Sequence, residues 1–226
     1  MKKHLVFLTG AGMSAESGIS TFRDSNGLWE NHAIEDVATP EGFEKNPALV
    51  LKFYNARRKQ LFEVEPNSGH QLIAELEKDY KVSIVTQNVD DLHERSGNTE
   101  VWHLHGELRK VRSTLHPDLI YKWEKDLNLG DKCEKGSQLR PHIVWFGEEV
   151  PLMDKAIGIV TSADVIVVIG TSLQVYPAAG LMDYARTGCS VFYIDPKPSI
   201  QSSGRVEVIS KNASKGMKEF IENHLP

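Results

Sequence analysis

Cysteine is scarce in this chain of 226 residues, which carries two, Cys133 and Cys189. Two cysteines do not make the disulfide framework of a small secreted domain, and their scarcity favours a reducing compartment. Long apolar runs are missing as well. The run Leu5–Leu8 follows a short basic start but is too short for a signal peptide. These absences predict a cytoplasmic protein that does not insert into a membrane.

An excess of positive charge is also missing. Lys and Arg number 26 against 31 Asp and Glu, which gives a formal net charge of −5. Such a chain has no general electrostatic attraction for nucleic acid or for an anionic membrane surface. We therefore expect no direct nucleic-acid partner and no membrane partner.

The chain does contain short Val-, Ile- and Leu-rich runs that alternate with helical patterns. This alternation predicts an α/β fold in which helices cover both faces of a parallel sheet. The predicted strands are 4–8, 81–86, 101–105, 142–146, 164–169, 190–195 and 206–210. The predicted helices are 47–64, 69–79, 151–162, 177–187 and 214–223, with Ser68 as an N-cap.

Two stretches interrupt the alternation. Residues 24–65 have loop character followed by a long helix, and residues 107–140 are polar and charged. We predict that these two stretches form a small inserted second domain. The remaining ranges, 1–23, 66–106 and 141–226, then make up a Rossmann-like domain, and the chain is long enough for both.

A glycine-rich turn, TGAGMSAESGISTFR at 9–23, directly follows the first apolar run. A buried strand that leads through such a turn into a helix presents free backbone N–H groups to a pyrophosphate. The third glycine, Gly18, comes later than in the usual dinucleotide-binding pattern. The turn therefore predicts a bound dinucleotide, with a bare strand-to-helix turn as the alternative.

Four further motifs follow in order: TQNVDDLH at 86–93, HLHGEL at 103–108, LRPHIVWFGE at 139–148 and GTSLQVYPAA at 170–179. Together with the glycine-rich turn, they make the chain similar to sirtuins from Leu5 to about Pro196. The segment FYNARRKQL at 53–61 resembles bacterial members of the class that includes desuccinylating sirtuins.

This resemblance implies an enzyme, an NAD-dependent protein-lysine deacylase. It would act as a deacetylase and as a desuccinylase or demalonylase, releasing nicotinamide, free lysine and O-acyl-ADP-ribose. Its partners would be proteins or peptides that bear acyl-lysine, which enter between the Rossmann-like domain and the small domain. Two alternatives stay open at this point, a protein ADP-ribosyltransferase and an NAD-sensing binding protein.

Catalysis is assigned by the same resemblance to His105 and Asn88. His105 would be the general base, a task that suits imidazole because its unperturbed pKa is about 6.5. Two other histidines lie close in sequence. His103 shares a strand face with His105, and we expect it to pack or to support the site rather than to bind a metal. His93 is expected to be structural.

A larger set of residues is implied to bind NAD. It comprises Gly10, Ala11, Gly12, Ala15, Ile19, Phe22, Arg23, Trp29, Gln87, Asn88, Asp90, Gly170, Thr171, Ser172, Asp195 and Ala213. Asn88 and Asp90 would line the nicotinamide and ribose pocket, where amide and carboxylate groups can bond hydroxyl and carboxamide groups. The alternative for Asp90 is a cap on the following helix.

Substrate recognition is predicted at two places. Tyr54 and Arg57 are three residues apart in a predicted helix and share a face, where a phenol and a guanidinium can hold a carboxylate. In the resembling class this pair recognises the acid of succinyl- or malonyl-lysine, and the alternative is a solvated basic face. Val144, Phe146, Gly147 and Glu148 match the segment whose backbone pairs with the extended substrate peptide, a case of strand addition.

The clearest departure from the family concerns zinc. Typical sirtuins present two Cys-x-x-Cys pairs, but of the matching positions here His116 and Cys133 alone could bind the metal. A tetrahedral zinc site needs four nitrogen or sulfur ligands. We therefore predict that the protein binds no metal, and that apolar residues such as Leu119, Ile120, Tyr121 and Trp123 fill the small domain instead.

Overall fold

The computed structural model describes residues 2–20, the backbone of 28–29, and residues 32–225. Its strands are β1 (His4–Thr9), β2 (Leu28–Trp29), β3 (His32–Ala33), β4 (Lys81–Thr86), β5 (Val101–His103), β6 (Gly106–Ser113), β7 (Ile120–Lys122), β8 (Leu139–Ile143), β9 (Val165–Ile169), β10 (Ser190–Ile194) and β11 (Val206–Ile209). Its α-helices are α1 (Ile34–Val37), α2 (Pro40–Lys45), α3 (Pro47–Leu61), α4 (Ser68–Leu76), α5 (Leu92–Arg95), α6 (Met153–Thr161) and α7 (Ala213–Asn223). Among these, no helix is long and apolar enough to cross a membrane.

The larger sheet has six strands in the order β11-β10-β9-β1-β4-β5, all paired in parallel. The chain order reverses between β1 and β9, so the topological switch point of a Rossmann-like sheet lies there. The strands β1 and β9 are buried along their whole length, which explains their unbroken apolar sequences. The predicted fold class is confirmed.

Helices cover both faces of this sheet. One face packs against α4 and α7 through residues such as Ile73, Met217 and Phe220. The other packs against α6 and a 3₁₀ helix through residues such as Ile159 and Leu181. Burial of both faces leaves the carboxyl edge of the strands as the place where loops can build a site.

Three local predictions need correction. The N-cap of α4 is Asn67, not Ser68, and its side chain accepts hydrogen bonds from the N–H groups of the first turn. The segment predicted as a helix over 177–187 is a 3₁₀ helix at Ala178–Tyr184. The strand predicted over 142–146 is β8, and it pairs antiparallel with β6 rather than joining the parallel sheet.

The smaller sheet has three strands in the order β7-β6-β8. It spans Gly106–Ile143, so it overlaps the range 107–140 that was assigned to the small domain. Helix α3 packs against it, and Pro47 at the first turn and Asn46 as N-cap fix where this helix begins. The packing of α3 on the smaller sheet places Tyr54 beside the segment that follows β8, where its hydroxyl accepts a hydrogen bond from Trp145.

Candidate active site

Two glycine loops meet at the switch point of the sheet. The N–H of Gly12, after β1, donates to the carbonyl of Gly170, after β9, across 2.8 Å. A Cβ atom on Gly12 would lie 2.6 Å from Gly170 Cα, and Gly170 itself has a φ of +63°. Backbone therefore packs on backbone, which side chains would prevent. Such a turn suits the close approach of a pyrophosphate to main-chain N–H groups.

A buried polar cluster lies beside these loops. Asn88 Nδ2 donates to Ser14 Oγ across 3.1 Å, and Ser14 Oγ donates to Asp90 Oδ2 across 2.9 Å. Asp90 also accepts from the N–H of Leu92 across 3.2 Å, but the N-cap of α5 is Asp91 and not Asp90. Burial raises the pKa of the Asp90 carboxyl above its ordinary value, and the Ser14 hydrogen bond opposes that rise. The cluster offers amide, hydroxyl and carboxyl groups in a site that largely excludes water.

His105 sits at the same edge and is partly exposed. Its Nδ1 lies 3.1 Å from the carbonyl oxygen of Gln87. Because a carbonyl can only accept, Nδ1 carries the proton, and in the neutral ring Nε2 then presents a lone pair. Burial lowers the pKa of His105 below 6.5, which favours this neutral form. The side chain thus has the tautomer that a general base needs.

His103 supports the neighbouring loop. Its Nδ1 lies 2.8 Å from the carbonyl oxygen of Asn88, and its Nε2 lies 2.7 Å from Glu94 Oε1. Pairing raises the pKa of His103 and lowers that of Glu94, and both changes prevail over the opposing effect of burial. His103 therefore holds the Asn88 backbone in place, which agrees with the expectation that it supports the site.

The loop after β9 is tied to the same cluster. Gln87 Nε2 donates to Thr171 Oγ1 across 3.2 Å, and the Tyr193 hydroxyl donates to the Thr171 carbonyl across 2.7 Å. Asp195, at the end of β10, is buried and accepts from the N–H of Lys197 across 2.8 Å. These bonds place Thr171 at the carboxyl edge where the NAD-binding set was predicted.

The remaining predicted NAD-binding residues are spread around this edge. Ala11 and Ala15 begin two successive 3₁₀ turns after β1, and Ala213 is the buried first residue of α7. Ile19 packs against the core around α3, and Ser172 is partly buried. The N–H of Gly10 donates to the carbonyl oxygen of Ile169. Phe22 and Arg23 lie outside the described residues, and of Trp29 the structure describes the backbone, in β2.

Tyr54 and Arg57 occupy one side of α3. Tyr54 is fully buried and packs edge to face on Phe53, with 5.1 Å between the ring centroids. Arg57 lies over Phe53 and donates to Gln60 Oε1 across 2.7 Å. Arg57 is partly exposed to solvent, whereas Tyr54 is not. A cavity of about 250 Å³ adjoins Arg57 but not Tyr54, and it is lined by His32, Leu49, Lys52, Phe53, Ala56 and Arg57.

The segment after β8 lies between His105 and α3. The N–H of Val144 donates to the carbonyl of His105, and the N–H of Phe146 donates to the carbonyl of Ala38, each across 2.9 Å. Phe146 is 46% exposed, and Gly147 has a φ of +88°. Glu148 instead turns inward and pairs with arginines of the smaller sheet. The side chain of Glu148 thus holds this segment against the smaller sheet.

Of the positions that match the zinc module, Cys133 lies in a small apolar core. Cys133 is buried with Leu127 and Leu139, and its Sγ donates to Ser113 Oγ across 3.5 Å. Leu119, Tyr121 and Trp123 pack against this core, whereas Ile120 is 44% exposed. Within the described part of the chain, Cys133 belongs to no group of three or more potential metal ligands.

Sequence reasoning missed several residues that hold the site together. They are Ser14, Glu94, Arg140 and Trp145, together with the supporting bonds of His103. Ser14 lies inside the glycine-rich motif, so its position was a usable signal. Arg140 and Trp145 likewise lie inside the motif at 139–148, whereas Glu94 follows the motif at 86–93 and carried no signal of its own.

Comparison with known proteins bears on this site. A model of the Sir2 family matches residues 10–177. A protein named NAD-dependent protein deacylase from Helicobacter pylori strain J99 is 56% identical over 220 residues, which cover 97% of this chain and 94% of that protein. A protein of the same name from Bacteroides thetaiotaomicron is 55% identical over 231 residues, which cover 99% of each chain.

Solved structures agree with the sequence comparison. A crystal structure of a Sir2 homologue in complex with NAD matches with a TM-score of 0.87 and 43% identity, over 98% of this chain and 89% of that one. A mutant Sir2 homologue in complex with ADP-ribose matches with a TM-score of 0.88 and 42% identity, over 98% and 91% of the two chains. The family predicted from the motifs is thereby confirmed, and the chain belongs to the Sir2 family.

Proposed function

We propose that the protein is an NAD-dependent protein-lysine deacylase that removes acetyl groups and also the acidic succinyl and malonyl groups. The observation that carries this proposal is the arrangement of His105. Its tautomer is fixed by Gln87, and it stands beside the buried cluster of Ser14, Asn88 and Asp90. Relatives named NAD-dependent protein deacylase at 55–56% identity support the same activity.

The groups at the carboxyl edge fit NAD. The Gly12 and Gly170 loops pack together without side chains at the switch point, which suits the close approach of a pyrophosphate to the main chain. Asn88 and Asp90 provide amide and carboxyl groups for a carboxamide and for ribose hydroxyls. When bound, NAD⁺ supplies an ADP-ribose acceptor for the acyl group, with release of nicotinamide, and O-acyl-ADP-ribose is the expected product.

His105 would act on the proton of a ribose hydroxyl. Its Nε2 presents a lone pair because Nδ1–H is held by the Gln87 carbonyl. Since burial lowers the pKa of His105, the ring is neutral at physiological pH and can accept a proton. Asn88 would orient the reacting groups through a backbone that His103 holds in place.

The peptide and its acyl group would be held on the other side of the site. The exposed Phe146 and Gly147 lie on a segment that is fixed by the bonds from Val144 to His105 and from Phe146 to Ala38, and the resemblance assigns the pairing with an extended peptide to this segment. Arg57 adjoins the cavity beside α3 and would hold the carboxylate of an acidic acyl group, because a guanidinium matches a carboxylate fork. Tyr54 would assist it.

The partners of this enzyme would be acyl-lysine proteins, without direct binding to nucleic acid or membrane. The net charge of −5 supports the absence of nucleic-acid and membrane partners, because both carry negative charge. Cys133 and Cys189 are both buried and free, which is compatible with the predicted cytoplasmic location.

The test is incubation with NAD⁺ and one peptide that carries acetyl-lysine, succinyl-lysine or unmodified lysine, followed by mass spectrometry. We expect loss of both acyl groups, with O-acetyl- and O-succinyl-ADP-ribose as matching products. The variant His105→Ala should lose both activities. His116→Ala is the matched control, because His116 lies in the small domain, away from the carboxyl edge.

Other outcomes separate the alternatives. Removal of the acetyl group alone would still identify a deacylase. Tyr54 and Arg57 would then be part of a solvated basic helix face and would not recognise an acidic acyl group. Nicotinamide release without an acyl peptide, with ADP-ribose attached to protein, would indicate a transferase. NAD⁺ binding without turnover would indicate a sensor.

A further inference from the structure

The backbone of Asn88 is held by a side chain at each of its two polar groups. Its carbonyl oxygen lies 2.8 Å from His103 Nδ1. Its N–H donates to Thr86 Oγ1 across 3.0 Å. His103 thus fixes one side of this peptide, and the Thr86 hydroxyl on the other side leads to a second group of buried side chains.

Thr86 and Thr9 lie side by side at the carboxyl ends of β4 and β1. They are partners in the register of the two parallel strands, and Thr9 Oγ1 donates to Thr86 Oγ1 across 2.8 Å. Both residues are fully buried. The glycine-rich turn follows Thr9, and the loop that carries Asn88 follows Thr86. The pair of hydroxyls therefore joins the starts of two loops at the predicted NAD site.

His93 extends this connection. Its Nε2 lies 3.1 Å from Thr9 Oγ1, and its side chain is buried. A threonine hydroxyl has a single proton. Because Thr9 donates that proton to Thr86, His93 Nε2 must be the donor to Thr9. Burial lowers the pKa of His93 well below 6.5, so the ring is neutral and its one N–H is at Nε2.

We infer that His93, Thr9 and Thr86 are positioning residues that hold Asn88 in the active site through a buried chain of hydrogen bonds. This inference rests on the proposed function, in which Asn88 orients the reacting groups. The chain begins at the Nε2–H of His93 and ends at the hydroxyl oxygen that accepts from the Asn88 N–H.

The chain restrains Asn88 because every link is buried. The Thr9 hydroxyl is fixed on both sides, by His93 and by Thr86, so the Thr86 oxygen cannot turn away without breaking a hydrogen bond out of contact with water. With His103 on the carbonyl side, the Asn88 peptide is held from both directions. Its side chain is thereby presented to the site in one orientation.

The same two strands provide a matched comparison. Ser83 Oγ, on β4, lies 2.8 Å from His4 Nε2, on β1, and both residues are buried. This is also a bond between a hydroxyl and an imidazole, but it lies towards the amino ends of the strands. Loss of either hydroxyl should lower stability, whereas only loss of the Thr86 hydroxyl should slow the chemistry at the carboxyl edge.

The experiment measures deacetylation by Thr86→Val and Ser83→Ala at a temperature where both are folded. Valine keeps the shape of threonine and removes the acceptor of the Asn88 N–H. We expect Thr86→Val to lower kcat about 5- to 20-fold, with KM for the acetyl-lysine peptide changed by less than about twofold. Ser83→Ala should lower the midpoint of denaturation and leave kcat unchanged. Thr86→Ser restores a hydroxyl and should recover kcat to within about twofold.

His93 is tested at the far end of the chain. His93→Phe keeps a ring against His70, whose centroid lies 4.8 Å away, and removes the N–H donor. We expect kcat to fall about 3- to 10-fold, and His93→Gln, which retains an N–H donor, to recover most of it. In the Thr86→Val background, His93→Phe should change kcat by less than about twofold, since the chain is already broken.

Several results would overturn the inference. They are an unchanged kcat in folded Thr86→Val, an equal loss of kcat in Ser83→Ala, and full additivity of His93→Phe with Thr86→Val. If the natural protein itself removes no acyl group, the proposed function fails and the inference fails with it. An active natural protein with unaffected variants refutes the inference alone.

A second measurement leaves the whole chain of hydrogen bonds intact, in case the variants do not fold. Imidazole ¹⁵N–¹H spectra of the natural protein distinguish the two neutral tautomers of each histidine. We expect the Nε2–H form for His93 and the Nδ1–H form for His105, whose Nδ1 faces the Gln87 carbonyl. His93 in the Nδ1–H form would leave the chain without its first donor and would overturn the inference.

Discussion

The Ser14 hydroxyl donates a hydrogen bond of 2.9 Å to the Asp90 carboxylate, and both side chains are buried. Ser14 belongs to the turn after β1, whereas Asp90 belongs to the loop after β4. The same hydroxyl accepts from Asn88 Nδ2 across 3.1 Å. One serine therefore joins the glycine-rich turn to the loop that carries Asn88 and Asp90.

Replacing Ser14 by Ala is expected to impair the use of NAD⁺. The change leaves Asn88 Nδ2 without this acceptor and Asp90 without this donor in a buried site, where unmade hydrogen bonds are costly. We expect kcat/KM for NAD⁺ to fall about 10- to 100-fold in steady-state kinetics. The exposed serine at the start of β10 provides the control, Ser190→Ala. Normal kinetics in a folded Ser14→Ala variant would show that the hydroxyl does not organise the site.

The pH dependence of deacetylation should report the buried state of His105. Because burial lowers the pKa of His105 below 6.5, the neutral base persists as the pH falls through 6.5 and is lost only at lower pH. We expect kcat/KM to stay level from pH 8 to below pH 6.5 and to decrease in more acidic buffer. A decline centred at or above pH 6.5 would contradict this assignment of the base.

A methyl group on Gly12 should disrupt the contact between the two glycine loops. Its Cβ would lie 2.6 Å from Gly170 Cα, so backbone must move. We expect Gly12→Ala to lower the free energy of unfolding by about 1–3 kcal/mol and to weaken NAD⁺ binding, measured by denaturant titration and calorimetry.

Gly158→Ala is the matched control for that change. Gly158 lies within α6, and apart from the backbone of its own helix turns no atom lies within 4 Å of its Cβ position, so alanine should stabilise the helix by about 0.5–1 kcal/mol. Equal effects of the two substitutions would mean that the close approach of the loops does not matter.

Some of this structure could be predicted because its signal is local. The run Val165–Ile169 is apolar at every position, as a strand buried on both faces requires. Motif order then identified His105 and Asn88 by resemblance. Asn67 shows the limit even for local signals, since two adjacent residues could both have capped α4 and the side-chain geometry decided between them.

The supporting bonds could not be predicted in the same way. Trp145 and Tyr54 are 91 residues apart, and Ser14 and Asp90 are 76 apart. Neither pair leaves a pattern in the sequence, because the residues of each pair are brought together only by the order of the strands and the packing of the helices. The strand predicted over 142–146 failed for a related reason: the apolar Trp145 is buried by α3 and not by a place in the sheet.

The small domain should be stable without metal. Its core is formed by Leu51, Val111, Leu127, Cys133 and Leu139. We expect a chelator such as EDTA to leave the melting temperature unchanged, and Leu127→Ala to lower the free energy of unfolding by about 2–5 kcal/mol. Leu115, which is 74% exposed, gives the control Leu115→Ala, with an expected change below about 0.5 kcal/mol. Stoichiometric zinc in elemental analysis would refute the prediction.

Acid should destabilise the fold through His70. This side chain is fully buried on α4, and neither ring nitrogen has a hydrogen-bond partner within the described part of the chain. It packs against His93 with 4.8 Å between the ring centroids. Burial lowers the pKa of His70 from 6.5 to about 4. The native ring therefore stays neutral in a pH range where the unfolded chain takes up a proton.

The sign of the effect follows from this difference in proton uptake. Between pH 6.5 and about 4 the unfolded state binds more protons, so the free energy of unfolding falls as the pH falls, by about 3 kcal/mol for His70 over the full range. Denaturant titrations at pH 7, 6, 5 and 4.5 should show this loss, and His70→Leu should show a smaller one. His116→Leu, a change in the small domain, should keep the original pH dependence. If His70→Leu and the natural protein lose stability in parallel, the acid sensitivity arises at other groups.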